Sequence, residues 1–201
     1  MLFFAAFVFW SLLHSITASA GFKIVIRNWL GQRTYDGLYR LFYNLFSAIT
    51  FLPVLLLLPA TVPGGVIWRV PQPFSYLFVL IQLVGVIGLI VSLLQTDLMR
   101  FAGIGQAVRF LQGEEEINPP PTLITRGTYK FVRHPLYFFS LLVLWFLPIM
   151  TWSTLLFNVL STIYFWVGSI YEERRLISTF GIEYSRYQQR VPRLIPIKLF
   201  T

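Results

Sequence analysis

Four long apolar runs, Leu2–Ala20, Leu38–Ala60, Phe74–Thr96 and Leu136–Tyr171, restrict this chain more than any other feature. A helix needs about 20 apolar residues to cross the hydrocarbon core of a bilayer. Within that core only helices and closed barrels satisfy their own backbone. The first three runs predict one span each. The fourth is too long for one span, and Pro148 followed by "TWST" predicts its division into a helical hairpin. The expected fold is all-α and integral to a membrane, with five transmembrane helices in a single domain over residues 1–201. Three helices occupy 1–96, a cytoplasmic connection 97–134, the transmembrane hairpin 135–171 and a cytoplasmic amphipathic tail 172–201. With 56% hydrophobic and 12% charged residues, the polar segments are too short to build a soluble core of their own.

The net charge of +8 raises the possibility of a nucleic-acid partner, and its placement argues against one. Under the five-span reading, fifteen of the sixteen lysines and arginines fall on one side, and Arg69 alone falls on the other. Cytoplasmic loops carry that excess, so the N-terminus is expected outside and the C-terminus in the cytoplasm. The bilayer is therefore the expected macromolecular partner, and the sequence sets no oligomeric state. "TASAG" at 17–21 looks like a peptidase site, but no Lys or Arg precedes the apolar run, and cleavage would export Lys23 and Arg27. The run is read as a retained span. With no cysteine there is no disulfide or thiolate, and two distant histidines give no metal site.

Within the first run, Ser11, His14, Ser15, Ala18 and Ser19 share one helix face. The serines read as a packing seam. His14 needs a buried partner or a cavity, because an ionisable side chain inside a span is costly. Gln82, Gly85, Gly88 or Leu89, Ser92 and Gln95 form a second inward face. Glu114–Glu116 and Pro119–Pro121 mark a solvated turn and an extended stretch. Gly103-Ile104-Gly105 has no strand before it and is a weak nucleotide signature. The tail is expected to form two short amphipathic helices broken near Gly181 and ended by Pro192 and Pro196.

Two charged clusters stand at the lips of apolar runs: "RHPLY" at 133–137 and "YEERRL" at 171–176. An antiparallel hairpin makes His134 and Glu172 neighbours at one surface. Pro135 suits the first turn of a helix. The free N–H groups there, with Arg133 and His134, suit a carboxylate or phosphate. Glu172 and Glu173 suit an ammonium group, so a zwitterion fits between the clusters. Tyr129 and Tyr137 add aromatic faces that favour a sulfonium, which makes S-adenosyl-L-methionine one candidate beside amino acids and lipid head groups. Taken separately, each cluster reads as an interfacial anchor.

"TLITRGTYKFVRHPLY" followed by "EERRLISTFGIEYSRYQQRVPRLIP" resembles the C-terminal half of the isoprenylcysteine carboxyl methyltransferase superfamily, over about 80 residues. The N-terminal half, with "LHSITASAGFK", "RTYDGLYRLFYNLFS" and "TDLMRFAGIGQ", is more similar to its NnrU-like and methanethiol S-methyltransferase-like branches. The resemblance implies a membrane methyltransferase using S-adenosyl-L-methionine, with a prokaryotic inner membrane as its location and the active site facing the cytoplasm. It implies cofactor contacts from Thr122, Leu123, Ile124 and Tyr129. Further contacts would come from His134, Pro135, Leu136 and Tyr137, and from Glu172 and Glu173. His14 and Gln106 are the candidate catalytic residues on the acceptor side. The acceptor is expected to be small or lipophilic, with a thiol favoured. The rival readings are a non-catalytic NnrU-like protein assisting a redox system and a phospholipid amine N-methyltransferase. Two positions depart from the family pattern. Phe139 stands where glycine is frequent and is expected to narrow the pocket. Gly168 replaces the arginine of the prenylcysteine enzymes and argues against their acceptor.

Overall fold

A computed structural model describes residues 1–114 and 120–197. Glu115, Glu116 and Pro119 of the expected turn, and Lys198 of the tail, lie outside the described residues. In chain order the helices are α1 (Leu2–Ala18), α2 (Ala20–Leu30), α3 (Gln32–Thr61), α4 (Phe74–Leu94), α5 (Leu98–Ala102), α6 (Ile104–Leu111), α7 (Pro135–Trp145), α8 (Trp152–Phe180) and α9 (Ile182–Arg190). A 3-10 turn covers Gly127–Lys130, and β1 (Val66–Arg69) pairs antiparallel with β2 (Ile149–Thr151). This small sheet was not expected from the sequence. It forms where Val66 faces Thr151 and Trp68 faces Met150.

The protein is mostly helical and membrane-like in composition. By length and hydropathy α3, α4 and α8 are long enough to cross a bilayer, and α1 with α2 makes a fourth candidate bent by 61°. The bend has a local cause. Ser19 adopts an extended conformation and its side chain caps α2 by accepting from the Phe22 N–H. The fifth apolar helix, α7, has only 11 residues. At 1.5 Å per residue it covers about 16 Å, roughly half the hydrocarbon thickness. Its last carbonyls find side-chain donors instead of a further turn. Gln82 donates to the Val143 carbonyl at 2.9 Å, and Asn158 donates to that of Leu144 at 2.6 Å. Those bonds let a helix end inside an apolar region without orphaned acceptors.

The chain divides into two compact units, residues 1–63 with 97–119, and residues 64–96 with 120–201. In the first unit α1 and α3 pack through Trp10, His14, Tyr43 and Ser47. Gly103, the corner between α5 and α6, sits against the backbone of Arg40 and Leu41. It follows a helix, not a strand, and so is not a nucleotide loop.

In the second unit α4 and α7 make the closest helix pair. Gly85, Gly88 and Ser92 are buried on α4, a small-residue face of the kind that lets membrane helices approach. A Cβ on Gly85 would stand 2.9 Å from Val143 Cγ2, and one on Gly88 would fall on the Phe139 ring. The phenyl group expected to narrow the pocket therefore fills the gap left by Gly88. Two residues along α7 from Tyr137, it points about 200° away from that tyrosine. Gly88→Ala should cost about 1–3 kcal/mol by overpacking. Adding Phe139→Ala should recover part of that loss, which denaturation of the single and double variants would measure; strictly additive costs would contradict the contact.

Thr151 begins α8 with a capping box shared with Thr154. From there the helix continues without interruption to Phe180. The expected separate tail helix from 172 is thus the last part of α8, because "YEERRLISTF" contains no breaker before Gly181. Only α9 stands apart.

Candidate functional site

His134 closes the loop before α7 and serves as its N-cap residue, with Pro135 at the first helical position. Proline fits there because its missing N–H needs no partner. This helix start has no side-chain cap, so the first-turn N–H groups of Leu136 and Tyr137 lack the usual satisfying oxygen. Glu172 and Glu173 are adjacent on α8, about 100° apart around its axis, and they take the two edges of one imidazole. His134 Nδ1 lies 3.3 Å from Glu172 Oε2, and Nε2 lies 3.2 Å from Glu173 Oε1. Carboxylates accept only, so an imidazole bonded on both sides donates from both nitrogens. Burial pushes the His134 pKa down, but bonds to and charges on Glu172 and Glu173 outweigh it and raise it above its ordinary value.

The two glutamates differ in what remains available. Glu173 is buried, its side chain 4% exposed. Its Oε1 takes Arg133 Nε at 2.7 Å, and its Oε2 takes Gln188 Nε2 at 3.0 Å and Arg193 Nη2 at 3.1 Å. Glu172 keeps 35% of its side chain exposed. It accepts from Tyr137 Oη at 3.1 Å. The Tyr137 ring is stacked between His134, at 5.4 Å, and Phe165, at 5.1 Å. A Cβ on Gly168 would lie 3.7 Å from the Tyr137 hydroxyl, in ordinary contact.

The segment before His134 is anchored from α4. Gln95 Oε1 accepts from the Thr128 N–H at 3.0 Å and from its hydroxyl at 2.9 Å, and Ser92 donates to the same hydroxyl. Gly127, at φ +63°, leaves room for the Gln95 amide that a Cβ would occupy. Tyr129 follows in the 3-10 turn, and its carbonyl accepts from Tyr187 Oη at 2.6 Å. Burial and the Glu172 charge push the Tyr129 hydroxyl pKa up. Thr122, Leu123 and Ile124 lie in an irregular stretch outside helix and strand, with Thr122 exposed and Leu123 and Ile124 half-buried.

His14 and Gln106 belong to the first unit. Both ring nitrogens of His14 are engaged, Nδ1 by Ser47 Oγ at 2.9 Å and Nε2 by Tyr43 Oη at 2.8 Å, and Trp10 stacks on the ring at 5.0 Å. Ser15 and Ser19, expected on the same packing seam, are exposed. Gln106 is buried, donates to the Arg100 carbonyl at 3.1 Å, and leaves its Oε1 without a partner. It helps line a cavity of about 310 Å³ formed with Arg33, Asp36 and Phe110. That cavity contains none of the residues of the charged cluster. Among the described residues no group of His, Asp and Glu is arranged to hold a metal.

Sequence reasoning missed the tail. Arg133 and His134 donate their backbone N–H groups to the Pro192 and Arg193 carbonyls at 2.9 and 3.1 Å. The prolines at 192 and 196 were read only as terminators. A segment that cannot hydrogen-bond itself as a helix needs partners elsewhere, and that signal was available.

Residues 74–183 match the family model described as phospholipid methyltransferase. The chain is 36% identical over 184 residues to methanethiol S-methyltransferase 1 of Bradyrhizobium diazoefficiens, covering 91% of this chain and 62% of that protein. It is 32% identical over 188 residues to methanethiol S-methyltransferase of Crocosphaera subtropica, covering 92% and 70%. A protein-S-isoprenylcysteine O-methyltransferase of Schizosaccharomyces pombe is 33% identical over 129 residues, covering 55% and 53%. No solved structure matches.

Proposed function

We propose that this chain, which belongs to the phospholipid methyltransferase family, is an S-adenosyl-L-methionine-dependent methyltransferase acting on a small thiol. One observation carries the reading: Glu172 presents a partly exposed carboxylate, held by His134 and Tyr137, next to the uncapped start of α7. That pairing of negative charge with free N–H donors fits the ammonium and carboxylate ends of one amino acid. Glu172 would take the ammonium, and the N–H groups of Leu136 and Tyr137 the carboxylate. Tyr129 would offer the sulfonium an aromatic face, both faces of the Tyr137 ring being covered by His134 and Phe165, and Thr122, Leu123 and Ile124 would flank the rest of the molecule. The cofactor supplies an electrophilic methyl group on a positively charged sulfur. The protein's part is to fix the attack line and exclude water, which matters more here than acid–base chemistry.

A thiol of ordinary pKa, near 8.5, is only a few per cent thiolate at neutral pH, so the acceptor pocket should favour loss of its proton. His14 and Gln106 remain the acceptor-side candidates. The bonds of His14 to Ser47 and Tyr43 equally suit a satisfied packing histidine. Gly168, whose Cβ position lies 3.7 Å from the Tyr137 hydroxyl, supplies no cation of its own where the prenylcysteine enzymes have an arginine, which disfavours an acceptor bearing a carboxylate. In the topology that goes with this reading, α7 and the residues up to β2 make the fourth of five crossings. The cluster then faces the cytoplasm of a prokaryote, with the N-terminus outside. Fifteen of sixteen basic residues on one side support that orientation.

The test is transfer of a radiolabelled methyl group by the purified chain in lipid. Methanethiol, phosphatidylethanolamine and a prenylated cysteine are offered as acceptors. Label is expected in the thiol. Label only in the lipid amine would move the acceptor class, and label in none would reject the enzyme.

A further inference from the structure

Glu173 has no surface left for a ligand, yet four donors from three segments converge on it. Two of them, Gln188 and Arg193, belong to the tail. The tail is in turn fastened by Arg133, whose Nη1 donates to the Gln188 and Val191 carbonyls at 2.9 and 2.6 Å. Arg193 lies with its guanidinium 5.4 Å from the centre of the Trp166 ring. This residue is far from the two clusters in sequence and was read only as a basic residue of the cytoplasmic tail.

The geometry points to Arg193 as a positioning residue: acting through Glu173, it governs how firmly His134 holds its second proton, and so how far Glu172 is free to meet a ligand's ammonium. This inference rests on the functional reading above. A protonated His134 donates to both glutamates, and its charge partly neutralises Glu172. A ligand's ammonium must then compete with that proton for the same carboxylate. Arg193 opposes the proton in two ways. It takes up the far oxygen of Glu173, and as a cation it repels a second positive charge nearby. The other groups facing the imidazole are Arg133 on its own loop, Tyr137 stacked on α7, and Glu172 and Glu173 on α8. Behind them, Arg175 acts on Glu172, and Tyr184 of α9 feels Glu173. Arg193 is the more exposed of the two arginines on Glu173, 31% against 9% for Arg133. Its removal leaves the buried Arg133–Glu173 pair in place.

The experiment follows the His134 ring by NMR across pH in the ligand-free protein, for the unaltered chain, Arg193→Gln and Arg193→Lys. Only two histidines need assignment. Calorimetry with S-adenosylhomocysteine at pH 7 runs beside it. Loss of the cation should raise the His134 midpoint by about one pH unit and weaken binding about tenfold. The deficit should fade as pH rises through the new midpoint. Arg193→Lys should stay within about threefold of the unaltered chain. A midpoint that stays put or falls in Arg193→Gln overturns the proposal, even if the variant is less stable, because a merely structural tail contact would lower stability without raising the midpoint. A raised midpoint with unchanged affinity overturns the link to Glu172. If the unaltered chain binds no S-adenosylhomocysteine while the midpoint still rises, the functional reading fails and the control of His134 by Arg193 stands.

Discussion

Glu172→Gln is expected to weaken S-adenosylhomocysteine binding about 10- to 150-fold and to leave the fold intact. The substitution keeps the size of the side chain and an oxygen for the Tyr137 hydroxyl, so shape and stacking survive. What disappears is the charge opposite an ammonium. A hydrogen bond to a charged group contributes about 1.5–3 kcal/mol, which converts to that range of affinity. A surface glutamate paired only with its neighbours would behave differently. With a third of its side chain in solvent, its loss would cost about 0–1 kcal/mol of stability and would not touch binding. Calorimetry and thermal denaturation on the same preparation separate the two, and unchanged binding with normal unfolding would remove Glu172 from the site.

Arg133→Met should instead strike stability, by about 3–5 kcal/mol. Methionine matches much of the arginine's volume but takes away the 2.7 Å partner of a buried carboxylate. It also strips donors from the Gln188 and Val191 carbonyls, so the tail loses its fastening. Arg193, His134 and Gln188 still reach Glu173, which keeps the loss at the level of one broken buried pair and not of the whole network. Combining the change with Glu173→Gln should cost less than the two separate losses added together, since the stranded charge is then gone. Unfolding in mixed micelles reads both numbers, and a loss below about 1 kcal/mol for Arg133→Met would mean that solvent reaches Glu173 after all.

The apolar runs made the helical membrane fold legible, because about 20 apolar residues have few other uses. Where the elements stop was less legible. The run Leu136–Tyr171 carries no mark at Trp145, since the groups that end α7 are Gln82 and Asn158, which lie far away or beyond the turn. Ser19 shows the opposite case. Its cap on α2 is local, and the serine before "AGFK" was a readable signal even though the sequence suggested a seam. The two strands escaped because residues 66–69 and 149–151 gain partners only when α4, α7 and α8 bring them together.

At the site, helix direction alone sufficed to pair His134 with Glu172. The division of labour between Glu172 and Glu173 could not be read that way. Adjacent glutamates look alike in sequence, and only the returning tail buries one and leaves the other partly open. Phe139 was misread for a similar reason: the glycine that makes room for its ring is Gly88, on another helix. His14 was rightly marked as a residue needing partners, and Tyr43 and Ser47 on α3 supply them.

The most direct test of the site sets two ligands against two proteins. Calorimetry compares S-adenosylhomocysteine with its deaminated analogue, first on the unaltered chain and then on Glu172→Gln. If the Glu172 carboxylate reads the ammonium, removing the amino group should weaken binding to the unaltered chain about tenfold or more, and should cost almost nothing further in the variant. An equal loss in both proteins would contradict the account, because the ammonium would then be read somewhere other than Glu172.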